Sequence, residues 1–307
     1  MQKILVLSAP LKEVIWGGDY FKKELNLTDN EKIGEMWSCS GHKGNMSYIL
    51  NGEFKGKTLR EVFLSNRHLF NNSSLDEFPI LVKLIATSDK LSVQVHPDDN
   101  YAKRNENQYG KTEGWLILDR QDDSSIIVGH NAKNKEELIE YINKDDFNGL
   151  LNEIKVNPGE FYPIPSGTIH ALGKNLVLLE VQQSSDVTYR FYDYHRKDKD
   201  GNERPLHVEK AIEVTDYNKY DQEVINIFKE KTNIIWDNEF FKVEYLEVNE
   251  KEKLLNNNNY CIVTVIDGRI NVEDNFINKG ESFVVTSLSN KVLLEGNAKV
   301  VVTYSKI

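Results

Sequence analysis

Apolar and β-branched residues fall in short runs punctuated by Gly, Asn, Asp and Pro. Examples are ILVLS (Ile4–Ser8), ILVKLI (Ile80–Ile85), KLSVQVH (Lys90–His96), WLILD (Trp115–Asp119) and SIIVG (Ser125–Gly129). NLVLLEVQQ (Asn175–Gln183), FFKVEYLEV (Phe240–Val248), CIVTVI (Cys261–Ile266), SFVVTS and KVVVTYS continue the pattern. Their length and β-branching predict strands of an all-β sandwich or barrel, not a parallel α/β sheet. Two segments predict helix instead. Thr58–Phe70 opens with a Thr cap and Glu61 three residues on, a capping-box signature. Asn134–Ile154 carries Leu138, Ile139, Ile142, Phe147, Leu150 and Leu151 near helical spacing, with an interruption expected at Gly149.

A composition shift falls near residues 215–235. The histidines and most aromatic-rich segments precede it, and the strand-rich remainder contains no histidine. Leu254–Asn259 (LLNNNN) reads as a loop between strands, because Asn favours turns. No fixed-period repeat is present. A length of 307 residues suggests about two domains and is ample for a buried core.

Charge and cysteine content narrow the function classes. The formal net charge of −10 argues against a nucleic-acid surface or a polybasic membrane patch. The two cysteines, Cys39 and Cys261, provide neither a disulfide framework nor a cysteine-based zinc knuckle. The apolar run Ile4–Leu7 is soon followed by Pro10, Lys12 and Glu13, unlike a signal peptide. No stretch approaches the roughly 18–20 apolar residues of a membrane span. The expected location is the cytoplasm.

Among the seven histidines, His96 and His170 lie in informative contexts, whereas His42, His68, His130, His195 and His207 read as surface or structural residues. In LSVQVHPDD (Leu91–Asp99), Gln94 and His96 share one face of an extended strand that Pro97 ends. They fit either metal ligands or a polar edge facing water. In GKTEGW (Gly110–Trp115), Lys111 and Glu113 share a face, as a site pair or as an exposed ion pair of little energetic value. PGEFYPIPSGTIHALGKN (Pro158–Asn175) is more specific. Gly159 and Gly167 permit tight turns, and Pro163 and Pro165 stiffen the approach to His170 at a defined point on the next strand.

This last spacing resembles the second motif of the cupin superfamily, small β-barrels that hold a metal in the barrel mouth. The resemblance implies a mainly β fold of two cupin-like (jelly-roll) β-barrels with a few helical insertions. It also implies a ligand set of Gln94, His96, Glu113 and His170. Gln94 stands where the ordinary cupin has His, which narrows the match. QVHPDD, GKTE, the PxG…H motif, VQQSSDVTYRFYDYHR (Val181–Arg196), IWGG (Ile15–Gly18) and IGEMW (Ile33–Trp37) together resemble the type I mannose-6-phosphate isomerases in their short bacterial form. The matches run in order from residue 15 to about 209. GESFVVTS (Gly280–Ser287) echoes a second cupin without a His. The implied division is a catalytic metal-binding domain over 1–225 and a degenerate cupin without metal ligands over 226–307.

The resemblance implies a zinc-dependent aldose–ketose isomerase with one Zn2+ per chain, acting on a phosphorylated sugar through an enediolate. Neutral imidazoles with a carboxylate and an amide suit zinc. Arg190 matches the family's active-site arginine, and an arginine stabilises oxygen charge more readily than it acts as a base. Strand alternation predicts Thr188, Arg190 and Tyr192 on one face, with Tyr189 and Phe191 on the other. Lys111 is a candidate for the base or for a phosphate contact. Ser92, two residues before Gln94, is a further phosphate candidate. Trp16 and Glu35 come from the N-terminal motifs and are expected to shape the sugar pocket. Two alternatives stand beside this reading: a non-catalytic metal cupin that binds a sugar phosphate, and an iron cupin oxygenase, against which Gln94 counts.

Overall fold

The structure is a computed structural model that describes residues 2–121, 123–197, 201–230, 233–256 and 259–307. In chain order the first strands are β1 (Ile4–Val6), β2 (Leu11–Gly18), β3 (Ile33–Ser40), β4 (Ile80–Ala86), β5 (Val93–Val95), β6 (Glu113–Arg120) and β7 (Ser125–His130). There follow β8 (Leu151–Lys155), β9 (Glu160–Ile164), β10 (His170–Leu172), β11 (Leu176–Gln183), β12 (Tyr189–Tyr192) and β13 (Ile225–Asn226). The last are β14 (Ile234–Asp237), β15 (Phe241–Leu255), β16 (Cys261–Val272), β17 (Asn275–Asn278), β18 (Ser282–Val285) and β19 (Lys291–Ser305). Among the described residues, six short α-helices interrupt them: α1 (Tyr20–Lys23), α2 (Leu59–Ser65), α3 (Asp99–Asn105), α4 (Lys135–Asn143), α5 (Phe147–Leu150) and α6 (Val208–Val214). No helix among the described residues is long and apolar enough to cross a membrane.

The strands form three antiparallel sheets. A seven-stranded sheet in the order β13-β9-β6-β11-β4-β3-β2 pairs with a five-stranded sheet in the order β12-β5-β10-β7-β8. Between them lies an apolar interior that includes Ile85, Trp115, Ile117, Ile126, Val128, Ile164, Leu172 and Leu178, drawn from both sheets. The third sheet, β1-β18-β16-β19-β15-β14 with β17 on β16, has its own core around Val263, Val265, Phe283, Leu294 and Val302. β1 comes from the start of the chain yet pairs with β18 near its end. The opposite face of the large sheet (Val82, Leu116, Leu179, Val181) packs with α2 and with Phe241, Val243, Ile262 and Val301 of the third sheet. One sheet thus serves two cores, which requires apolar residues on both of its faces.

Local chemistry explains several elements. Thr58 Oγ1 accepts from the Glu61 amide while the Glu61 carboxylate accepts from the Thr58 amide, so the capping box forms as expected. The helix expected over 134–154 is shorter. Asn134 caps α4, α5 ends at Leu150, and Leu151–Lys155 forms β8 instead, with Leu151 paired to His130. Leu151 and Ile154 satisfy helical spacing, but an open sheet edge at β7 claims the segment. The loop expected from Leu254 begins later. Leu254 is buried and Leu255 pairs with Lys291 at the end of β15, and the chain turns at Asn256, whose amide donates to Thr286 and Ser289 carbonyls. Asn257 and Asn258 lie outside the described residues. The strand expected over Lys90–His96 narrows to Val93–Val95.

Candidate metal centre

Rows of side chains across the large sheet set the layers of the barrel interior. Lys83, Glu180, Trp115 and Tyr162 are successive cross-strand partners on β4, β11, β6 and β9. The next row is Leu81, Gln182, Glu113 and Ile164, and the row on the other side is Ile85, Leu178 and Ile117. Period-two alternation puts all of them on one face. The polar rows therefore sit above an apolar floor. On the facing sheet, Gln94 of β5 is the cross-strand partner of His170 on β10 and of Arg190 on β12. Directly opposed residues on antiparallel strands share a face, so Arg190, Gln94 and His170 form a single row.

Two loops complete the site. His96 follows β5, Pro97 ends the strand, and Asp98 caps α3 by accepting from the Tyr101 amide. Asp99 accepts from the Gly110 amide (2.7 Å) and from Gln183 Nε2 (3.1 Å), which holds the GKTE segment against the HPDD turn. A Cβ at Gly110 would lie 2.4 Å from the Asp98 carbonyl carbon, so only glycine fits. Gly167, at φ +85°, donates its amide to the His96 carbonyl (2.8 Å), joining the PxG turn to the first motif.

The donor atoms converge in the buried interior, where His96, Glu113 and His170 are 0–1% exposed. His96 Nε2 lies 3.5 Å from Glu113 Oε2, and His170 Nε2 lies 3.5 Å from Glu113 Oε1. One ligand atom from each falls within 4.8 Å of the others. His96 Nδ1 lies 2.8 Å from the Val187 carbonyl and His170 Nδ1 2.8 Å from the Thr168 carbonyl. A carbonyl only accepts, so each Nδ1 carries the proton and each Nε2 turns a lone pair inward. Apart from the ion pair of Oε2 with Lys111, neither Glu113 oxygen has a hydrogen-bond partner. Two lone pairs and a carboxylate facing one another underground call for a cation. The donor set fits a metal ion of zinc's type. Lys111 Nζ reaches into the same space, 2.5 Å from Glu113 Oε2 and 3.1 Å from His96 Nε2.

Electrostatics favours the metal-binding protonation states. Burial, reinforced by Lys111, pulls the His96 pKa down to about 3. Burial also lowers that of His170. Burial alone would raise Glu113, but Lys111 and His96 outweigh it and hold the carboxyl well below its usual range. The Gln94 amide nitrogen lies 3.4 Å from His170 Nε2; half a turn of the terminal amide would present its oxygen there instead.

Arg190 is half-buried, with Nε donating to Ser92 Oγ (3.1 Å) and Nη1 to the Pro205 carbonyl (3.1 Å). Burial, with Arg204 close by, lowers its pKa, yet it stays a cation. Ser92 is therefore a partner of Arg190. Tyr192 departs from the expected alternation. β12 has a bulge after Arg190, and Tyr192 stacks on Phe147 (centroids 3.7 Å apart) in the outer cluster with Tyr189 and Phe191. Trp16 is buried in the interior cluster. Glu35 accepts from Trp37 Nε1 (2.7 Å) and lies 3.9 Å from Lys83, while Lys83 is 2.9 Å from Glu180 and Trp115 Nε1 donates to Glu180 (3.2 Å). The Trp115 ring meets the His170 ring edge-on at 5.4 Å. Lys83 and Glu180 escaped the sequence reading, although each is a charge inside an apolar strand run, which was the available signal. His207, expected to be a surface or structural residue, donates its amide to the Arg190 carbonyl (2.6 Å). His195 is exposed, with its nearest acidic partners, Asp145 and Glu203, on the surface.

The fold and this donor set define a cupin-type barrel with a candidate metal centre. Residues 4–137 match the family description "Phosphomannose isomerase type I, catalytic domain", and residues 230–305 match "Mannose-6-phosphate isomerase, cupin domain". The chain is 36% identical over 313 residues to a mannose-6-phosphate isomerase of Streptococcus mutans, covering 99% of both. It is 48% identical over 204 residues to the mannose-6-phosphate isomerase ManA of Bacillus subtilis, covering 66% of this chain and 65% of that one. A crystal structure of the mannose 6-phosphate isomerase from Bacillus subtilis superposes with a TM-score of 0.90 at 36% identity, covering 98% of this chain and 99% of that one. A zinc-bound mannose 6-phosphate isomerase shares the fold at a TM-score of 0.74 and 15% identity, over the whole of both chains. The chain belongs to the type I mannose-6-phosphate isomerase family.

Proposed function

We propose that the protein is a zinc-dependent aldose–ketose isomerase that interconverts mannose 6-phosphate and fructose 6-phosphate, with one zinc per chain. The observation that carries this reading is the convergence of His96, Glu113 and His170 around unprotonated donor atoms, in a chain of this family. Family membership favours the isomerase over a sugar-phosphate sensor or an oxygenase. In this reading His96 Nε2, Glu113, His170 Nε2 and the Gln94 amide oxygen hold the metal. Bound there, zinc supplies Lewis-acid stabilisation of charge on the sugar oxygens.

The remaining roles follow from what each side chain can do. Moving a proton between C1 and C2 needs a group that takes it from one carbon and returns it to the other. Lys111 Nζ is the amine at the donor cluster and, in its neutral form, takes that role. Arg190 stays charged and shares a row with Gln94 and His170, so it stabilises negative charge on the enediolate oxygens. Ser92 orients that guanidinium through Nε. Trp16 and Glu35 are the candidates for shaping the sugar pocket, with Glu35 tied to the polar row through Lys83 and Glu180. All of these residues lie in 1–225, which we take as the catalytic unit, with 226–307 as its support. A net charge of −10 repels an anionic substrate mildly, so local cations must capture it. A cytoplasmic location belongs to the same reading, because phosphorylated sugars do not cross membranes unaided.

The test is conversion of mannose 6-phosphate in D2O, followed by NMR. The proposal expects fructose 6-phosphate, with solvent deuterium entering at C1 through proton transfer. Metal-loaded protein that forms no fructose 6-phosphate would refute it.

A further inference from the structure

The chain after β12 departs at Asp193 and returns at Arg204, and both ends meet at one carboxylate. The Asp193 side chain is 5% exposed. Its Oδ2 accepts from Arg204 Nε (2.7 Å) and its Oδ1 from Arg204 Nη2 (2.6 Å), a two-pronged pairing that fixes the guanidinium plane. Arg196 reaches the same Oδ1 through Nε (3.2 Å) and Nη2, and its Nη1 donates to the Lys90 carbonyl, two residues before Ser92. The residue after Arg204 is Pro205, whose carbonyl accepts from Arg190 Nη1 (3.1 Å). His207 then brackets the Arg190 backbone, donating its amide to the Arg190 carbonyl (2.6 Å) and offering Nδ1 to the Arg190 amide (3.3 Å).

We propose that Asp193 is a positioning residue for Arg190: by pinning Arg204 it sets the Pro205 carbonyl that, with Ser92, aims the Arg190 guanidinium at the site. The proposal rests on the reading of Arg190 as the charge-stabilising group. Arginine has many rotamers, and two acceptors on two different nitrogens select one of them. Ser92 lies on the barrel side, but Pro205 lies on the returning segment, whose place depends on the bidentate pair. Arg190, Arg196 and Arg204 are also like charges gathered close together, and Asp193 is the carboxylate that pairs with two of them. Without its charge the cluster would spread and Arg190 would lose its aim. A small misplacement of a charge-stabilising group costs turnover while leaving the metal ligands in place.

A double-mutant cycle tests this. Zinc-loaded wild type, Asp193→Asn, Arg190→Lys and the double variant are compared for kcat, KM, zinc per chain and melting temperature. Asp193→Asn should lower kcat/KM on the order of tenfold to a hundredfold with zinc content unchanged, and should have no further effect beside Arg190→Lys. A multiplicative loss in the double variant, or full activity in Asp193→Asn, would overturn the proposal. Full activity in Arg190→Lys would instead refute the Arg190 reading itself, visible before Asp193 is considered. If Asp193→Asn does not fold, Arg204→Lys enters the same cycle, since lysine keeps the charge but cannot make the two-pronged pair. It should show a smaller loss in the same direction, again absent beside Arg190→Lys.

Discussion

His170 Nε2 and Glu113 Oε1 approach to 3.5 Å although the two residues stand on different sheets, His170 on β10 of the five-stranded sheet and Glu113 on β6 of the seven-stranded one. An ion held between them ties the two sheets together, so metal binding and barrel stability are coupled. Metal-free protein should melt at a lower temperature than zinc-loaded protein. Replacing His170 with Ala should abolish that difference and weaken zinc retention by more than about a hundredfold, since loss of even an outer-shell partner costs 10–100-fold. Elemental analysis after dialysis, paired with melting curves, checks both. Unchanged zinc content in His170→Ala would remove it from the ligand set.

Lys111 occupies the space the metal needs, in contact with two of the proposed ligands. An ammonium and a dication compete for the same lone pairs. Lys111→Met should therefore hold zinc more firmly against a chelator than wild type does, while losing on the order of 10²–10⁴ in kcat with its general acid–base group. Faster zinc release would show that Lys111 supports the ligands instead of competing for them.

Acid should destabilise the metal-free protein through His96. Its folded pKa of about 3 lies below the ordinary histidine value, so between those two the unfolded chain binds the extra proton. Stability is full above pH 6.5 and falls as the pH drops toward 3, by about 1.4 kcal/mol per pH unit from this group. Glu113, also held low, adds a loss of the same sign at the acid end. Urea titrations at pH 7, 5.5 and 4.5 measure the slope, and His96→Gln should flatten it. An equal slope in that variant would assign the acid sensitivity elsewhere.

Gly110 carries the closest backbone approach in the site. Gly110→Ala places a methyl 2.4 Å from the Asp98 carbonyl carbon and 2.5 Å from the Asp99 amide nitrogen. Backbone cannot swing aside as a side chain can, so the GKTE loop must shift. The expected cost is about 1–3 kcal/mol, read from the urea midpoint, together with reduced turnover because Lys111 and Glu113 move with the loop. Wild-type stability and turnover would show that the loop has slack.

The site was legible where chemistry sits beside turn residues. His96 precedes Pro97 and Glu113 precedes Gly114 at strand ends, and His170 opens β10 three residues after Gly167; the resemblance to the cupin motifs, beyond local spacing, grouped them with Gln94 in the middle of β5. The Thr58–Glu61 cap was legible from local spacing alone. What escaped was set by distant partners. Leu151 forms strand because β7 offers an edge, and β1 joins the third sheet through β18. A bulge after Arg190, invisible to alternation, turned Tyr192 outward. Lys83 and Glu180 are single charges in two strands distant in sequence, and only the register makes them neighbours. Asp193, Arg196 and Arg204 are spread along a connecting segment with no periodicity to betray their meeting.

If one metal held by these ligands makes the chain an isomerase, activity must follow metal occupancy. Zinc titrated into chelated protein, with mannose 6-phosphate conversion followed alongside, should give negligible turnover without metal and a linear rise that levels at one zinc per chain. Full turnover in the metal-free protein, or none with one zinc bound, would contradict it.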